Sequence, residues 1–246
     1  MYEKKLYIEH DALDERDNML FAPAKGNELS TSDQVKSDHS MYEEGQVSSI
    51  LPVSQSLHIK VFCEMDLEAM YIMQLARLFG FRLKEAAHFD ANKALEVHLL
   101  GQPILLLENT KNDNPRRVLV NTVEKLACLC NIAQYQQLCN KSTLIPAHLS
   151  YDSFRKSFWK KTNAIDLQYN IGGERKSFAC DLYLLLVGVL CPLQSGIPRG
   201  IQHYQYIATQ LNISPAEAIV RDTEARLEIA KWLGHRSIES TYYYLG

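Results

Sequence analysis

The stretch Ser177–Leu190 is apolar nearly all round, with Asp181 its one charge. A helix of that composition has no face for water and must be surrounded by other elements. Its longest apolar run, Leu182–Leu190, extended by Cys180 and Cys191, is well short of the roughly 20 residues that span a bilayer. The chain is therefore expected to build a globular, mainly helical domain around this segment, with the flanking sequence supplying amphipathic partners.

Those partners are present. Leu67, Met70, Tyr71, Met73, Leu75, Leu78 and Phe79 recur at helical spacing, Gly80 interrupts, and Phe81–Ala87 resumes the pattern. Thr122–Cys139 is amphipathic, and Ser150–Thr162 carries Phe154, Phe158 and Trp159. Ser214-Pro215-Ala216-Glu217 combines a capping-box serine, a proline at the first helical position and a glutamate at the third. That helix is expected to run to Gly234, a natural stop, with a last short helix from Ser237. Between the first helices and the rest, Leu95–Leu99 alternates, Ile104–Leu107 is short and apolar, and Arg116–Val120 follows the turn-rich Lys111–Pro115. These three runs predict a small three-stranded antiparallel sheet, so the expected class is mainly α with a small sheet (α+β).

Residues 1–50 differ. They hold eleven Asp/Glu against five Lys/Arg, a local balance of −6, and little apolar periodicity. They are read as an acidic, flexible tail ahead of a domain over 51–246. The tail masks a mild opposite lean: 21 basic and 18 acidic residues remain for 51–246. Overall charge is too weak to argue for a polyanion partner, which must come from particular positions. The charged start lacks a secretion-type apolar region, and the six cysteines lack zinc-type spacing. Reduced, buried thiols in a cytoplasmic protein are expected, with no metal site and no disulfide framework.

Three local stretches carry a resemblance. Ala76-Arg-Leu-Phe-Gly80-Phe-Arg82-Leu-Lys-Glu85-Ala has an Arg after a Gly–apolar pair and a Glu three positions on. Asn109-Thr-Lys111-Asn with Arg116 and Val118 has the look of a polar hairpin carrying a lysine. Leu233-Gly234-His235 is followed by Thr241 and Tyr244, with the tyrosine nine positions after the histidine and three after the threonine, which selects Tyr244 over Tyr242 and Tyr243. In this order and context the three stretches resemble the catalytic domain of tyrosine recombinases, the phage-type integrases of mobile genetic elements. The resemblance covers about residues 57–246.

The chemistry explains why such residues belong together. Breaking a DNA strand without hydrolysis needs a nucleophile that keeps the phosphodiester bond, and a phenol does so as a 3′-phosphotyrosyl link. Charge developing on the phosphate needs preorganised cations, and a guanidinium suits it because its planar fork stays ionised. The resemblance then implies that Tyr244 attacks, Arg82 clamps the phosphate, Lys111 is the general acid, His235 hydrogen-bonds the phosphate, and Glu85 orients Arg82. It implies double-stranded DNA as partner, a homo-oligomer or a partner recombinase on DNA, no cofactor, no membrane, and association with the nucleoid when bound to DNA.

The middle box of the family, His-x-x-Arg, is expected at Arg199-Gly200-Ile201-Gln202-His203. There Arg199 stands in place of the His, and Gln202 in place of the Arg, with His203 in support. A glutamine has no charge and no fork, so this register predicts impaired catalysis. The alternatives are a second cation from Arg199, from Arg175 or from another nearby Arg, or an inactive recombinase-fold protein that binds DNA or a partner.

Overall fold

A computed structural model describes residues 51–106 and 116–246. The acidic segment expected as a tail and the expected general acid Lys111 lie outside the described residues.

The described chain runs α1 (Gln55–Phe62), α2 (Leu67–Phe79), α3 (Leu83–Ala87), α4 (Ala91–Leu99), β1 (Ile104–Leu106), β2 (Arg116–Val118), α5 (Val123–Leu138), α6 (Tyr151–Ile165), α7 (Ile171–Val187), α8 (Pro192–Ser195), α9 (Ile201–Leu211) and α10 (Pro215–Leu233). A 3₁₀ turn, Ile238–Thr241, leads into the single turn α11 (Tyr242–Leu245). Most boundaries follow from local chemistry. Thr122, Ser150 and Ser214 each accept the backbone N–H three residues on, and Ser214 with Glu217 closes the reciprocal box. Gly80 and Gly234 end α2 and α10 at φ +65° and +64°, a conformation that costs any side chain with a Cβ.

The sheet is smaller than expected. β1 pairs antiparallel with β2 alone, Ile104 opposite Val118 and Leu106 opposite Arg116. Leu95–Leu99, read as a strand from its alternation, belongs to α4. Asp90 caps that helix by accepting from Lys93 N at 3.1 Å. Ala91 and Ala94 are buried, with Leu95, Val97 and His98 half-buried on the same side. Over five residues, alternation and one face of a helix share several positions, and the cap decides between them.

Two hydrophobic clusters fill the interior. The first gathers α1–α6 and the sheet around Ile72, Met73, Leu75, Phe81, Leu129 and Ile132. The second gathers α7, α9, α10 and α11 around Cys180, Tyr183, Ile207, Ile229, Leu233 and Leu245. The helix expected at the centre is α7, and it starts six residues earlier than its apolar stretch suggested. Its additional residues include Glu174, Arg175 and Lys176, all buried. Half of the cysteines depart from expectation: Cys63, Cys130 and Cys139 are exposed, whereas Cys128, Cys180 and Cys191 are buried, and all six are free thiols. Among the described residues no helix is long and apolar enough to cross a membrane.

Candidate active site

The site grows from the turn between α2 and α3. Gly80 bends the chain so that its carbonyl points inward, and a Cβ there would meet the Phe178 ring at 2.5 Å. Two residues on, Arg82 opens α3, and Glu85 reaches back to it twice. Glu85 accepts from Arg82 N at 2.8 Å and from Arg82 Nη1 at 2.6 Å. The glutamate is buried and collects two further guanidiniums, Arg116 Nη2 at 2.6 Å and Arg175 Nη1 at 3.9 Å. Burial pushes the Glu85 carboxyl up, but Arg116, Arg175 and Arg82 together outweigh it and hold the group below the usual carboxylate range.

Arg116 enters from the start of β2 and ties three segments together. Its Nη1 donates to Phe79 O (3.4 Å) and Trp232 O (2.6 Å) and its Nη2 to Gly80 O (3.2 Å), while its guanidinium lies 5.0 Å from the Phe81 ring centre. Its aliphatic stem explains the glycine at 234, where a Cβ would come within 2.9 Å of Arg116 Cδ.

Arg175 comes from the second turn of α7 and is almost wholly buried. Its Nη1 donates to Gly80 O, its Nη2 donates to Leu233 O at 2.5 Å, and its Nε donates to the Tyr244 hydroxyl oxygen at 3.2 Å. Burial lowers its pKa to about 10, which leaves it charged at neutral pH. His235 follows Gly234, with its Nε2 at 3.5 Å from Arg175 Nη2 and its ring 5.0 Å from that of Tyr244. Burial, and then Arg175, Arg82 and Arg116, push its pKa down to about 3, so the imidazole is neutral. Its Nδ1 is buried without a hydrogen-bond partner.

Three guanidiniums therefore meet around one carboxylate, a balance of 3 − 1 = +2 with the histidine neutral, and one of them, Arg175, bonds the Tyr244 hydroxyl. Such a cluster attracts an anion, since partly desolvated charges interact far more strongly than charges in water. Planar guanidiniums suit phosphate oxygens, and Arg82, whose side chain keeps 25% of its exposure, faces solvent. The arrangement sets a cationic cluster beside a tyrosine hydroxyl.

Of the residues expected at a site, Arg82, Glu85, His235 and Tyr244 come together here. Arg199, Gln202 and His203 do not join them. Gln202 is exposed on the first turn of α9. His203 is buried, faces the Leu190 carbonyl at 3.1 Å through Nε2, and packs near Tyr183 and Tyr206. Arg199 stacks on the Tyr242 ring at 3.7 Å. Gln202 therefore lies outside this cluster, and the cation that bonds the Tyr244 hydroxyl is Arg175. Its signal was in the sequence, because Arg175 precedes Ala179 by four and Tyr183 by eight, on the buried stripe of α7. A charge on that stripe has to find partners. Arg116, which the sequence marks only as part of the hairpin pattern, is the member of the cluster that the sequence does not point to. Among the described residues no group of three or more metal-ligating side chains is present.

Compared with known proteins, the chain matches no family model, and no curated protein is similar enough to count as a relative.

Proposed function

We propose that this chain is a DNA strand transferase of the tyrosine recombinase type, whose middle-box arginine is Arg175. The observation that carries this reading is the hydrogen bond from Arg175 Nε to the Tyr244 hydroxyl, inside a cluster that also holds Arg82, Glu85, Arg116 and His235. In this reading Arg82 and Arg175 hold the scissile phosphate, and the Tyr244 oxygen attacks phosphorus as its proton passes to the neutral His235 imidazole or to water. The bond to the 5′-oxygen breaks, that oxygen takes up a proton, and the strand is kept as a 3′-phosphotyrosyl ester. Arg116 and Glu85 keep the two phosphate-binding arginines in place. His235 is a neutral imidazole that can share a proton with a phosphate oxygen or the phenol. Lys111 is proposed as the proton donor to the 5′-oxygen.

The test is covalent adduct formation on a nicked duplex in which the released flap cannot religate. The wild-type chain should form an adduct, and Tyr244→Phe should form none. Arg175→Lys should lose about 10²–10³ in rate, by analogy with the loss of one preorganised donor. Gln202→Arg should change nothing. A large gain from Gln202→Arg, with Arg175→Lys silent, would return the middle box to α9 and defeat the reading.

A further inference from the structure

The cluster accounts for Tyr244 but leaves the two tyrosines before it. Each of the three consecutive rings lies against a different cation. Arg199, from the loop before α9, sits 3.7 Å from the Tyr242 ring centre, with Arg226 of α10 behind at 5.4 Å. Lys176 of α7 sits 4.0 Å from the Tyr243 ring. Arg175 lies 5.6 Å from the Tyr244 ring. The fourth residue, Leu245, is fully buried in the second cluster.

This matters because α11 is a single turn with no side-chain cap. One turn of helix does not hold itself, since the first hydrogen bond fixes several residues at a net loss. At about 100° per residue, positions 242–245 cover every side of the turn. A core pocket alone would pin one side and leave the rest free to rotate about Leu245. The cations close the other sides. Arg226 is itself anchored, donating to Asp222 at 2.9 Å while Tyr183 donates to the other Asp222 oxygen at 2.5 Å, and it also donates to Gly246 O at 3.3 Å.

We propose that Arg199 and Lys176 are positioning residues: through cation–π contacts with Tyr242 and Tyr243 they clasp the α11 turn and set where the Tyr244 hydroxyl sits. The clasp itself is a property of the fold, and its consequence for strand transfer rests on the function proposed above. It gives Arg199, read from the sequence as a lost catalytic histidine, a different task.

Amide hydrogen exchange over 242–246 in the full chain, without DNA, tests the clasp directly. Adduct formation on the nicked duplex tests its consequence. An exposed cation–π contact should be worth about two- to fivefold and a desolvated one up to about thirtyfold in the opening equilibrium. Arg199→Gln and Tyr242→Leu should each speed exchange about two- to fivefold, and Lys176→Met, a largely buried residue, by up to about thirtyfold. Exchange in α2 should not move. Tyr242→Phe keeps a ring and should keep the wild-type rate, as should Arg199→Lys. Pairing Arg199→Gln with Tyr242→Leu should add little to Tyr242→Leu alone, because the leucine already removes the ring that Arg199 faces.

Unchanged exchange in Arg199→Gln and Lys176→Met overturns the clasp. So does a Tyr242→Phe variant as fast as Tyr242→Leu. If the exchange pattern holds while the wild type forms no adduct, the clasp stands and strand transfer falls. If adducts form normally in variants with faster exchange, the positioning role falls.

Discussion

Replacing Glu85 by glutamine keeps the shape of the side chain and removes the carboxylate that faces Arg82, Arg116 and Arg175. Its neighbours differ in what they can do next. Arg82 keeps 25% of its side-chain exposure and can turn to water, whereas Arg116 and Arg175 keep 1% and 3% and cannot. Breaking a buried pair from one side costs about 3–5 kcal/mol, because the remaining charge is left uncompensated. A middle value of ~4 kcal/mol lowers the melting temperature of a chain this size by roughly 8–16 °C. Thermal unfolding at neutral pH and low salt reads this out. Sulfate or phosphate should then raise the melting temperature of Glu85→Gln more than that of the wild type, since an anion that binds only the folded state substitutes for the lost charge. The acid limb also changes. The Glu85 carboxyl is held below its unfolded value, so its contribution is complete above that value and is lost as pH falls through the lower folded one. Glu85→Gln lacks that part of the acid transition. A variant that melts within a degree or two of the wild type, or equal anion rescue of both, would refute the reasoning.

The His235 imidazole, pushed down to about 3 by burial and three guanidiniums, should show no titration between pH 5 and 8 by NMR in the free protein; a midpoint near 6.5 would contradict the site. Because the unfolded chain takes up that proton below about pH 6.5 and the folded chain does not, stability should fall as pH drops from about 6.5 toward 4. For a half-buried ring the effect is about 2 kcal/mol, and denaturant titrations of His235→Gln should show a smaller acid loss. Gly234→Ala and Gly101→Ala separate backbone from contact. Both positions have φ near +70°, but only a Cβ at 234 meets a neighbour, Arg116 Cδ at 2.9 Å. Each should cost the left-handed penalty of about 1–2 kcal/mol, with Gly234→Ala costing at least ~1 kcal/mol more. Equal losses would mean that Arg116 moves aside freely.

What the sequence disclosed follows from the range over which each signal acts. Caps act within four residues, so Thr122, Ser150, Ser214, Gly80 and Gly234 marked helix ends that the structure reproduces closely. The pairing of Arg82 with Glu85 and the placing of His235 and Tyr244 at the C-terminal end were equally local. The middle of the site was not. Gly200, Ile201 and His203 gave a tempting register, but whether a helix faces the phenol depends on α7 and α9 packing against α10, which no short window encodes. Arg175 stands on the buried stripe of α7, where a charge must find partners, and that is the local signal for its place in the cluster. The strand expected at Leu95–Leu99 failed for the opposite reason: five alternating residues were allowed to outweigh the Asp90 cap.

The six residues of the candidate site are divided between two interiors. Arg82, Glu85 and Arg116 stand on elements of the first hydrophobic cluster, while Arg175, His235 and Tyr244 stand on elements of the second. Hydrogen bonds from Arg116 to Trp232 O and from Arg175 to Gly80 O run across that seam in opposite directions. The Arg116 and Arg175 guanidiniums are thus rivets of the fold. Under the proposed function a phosphate that drew on them would load the joint between the two halves, so site occupancy and the mutual setting of the halves would be one mechanical variable.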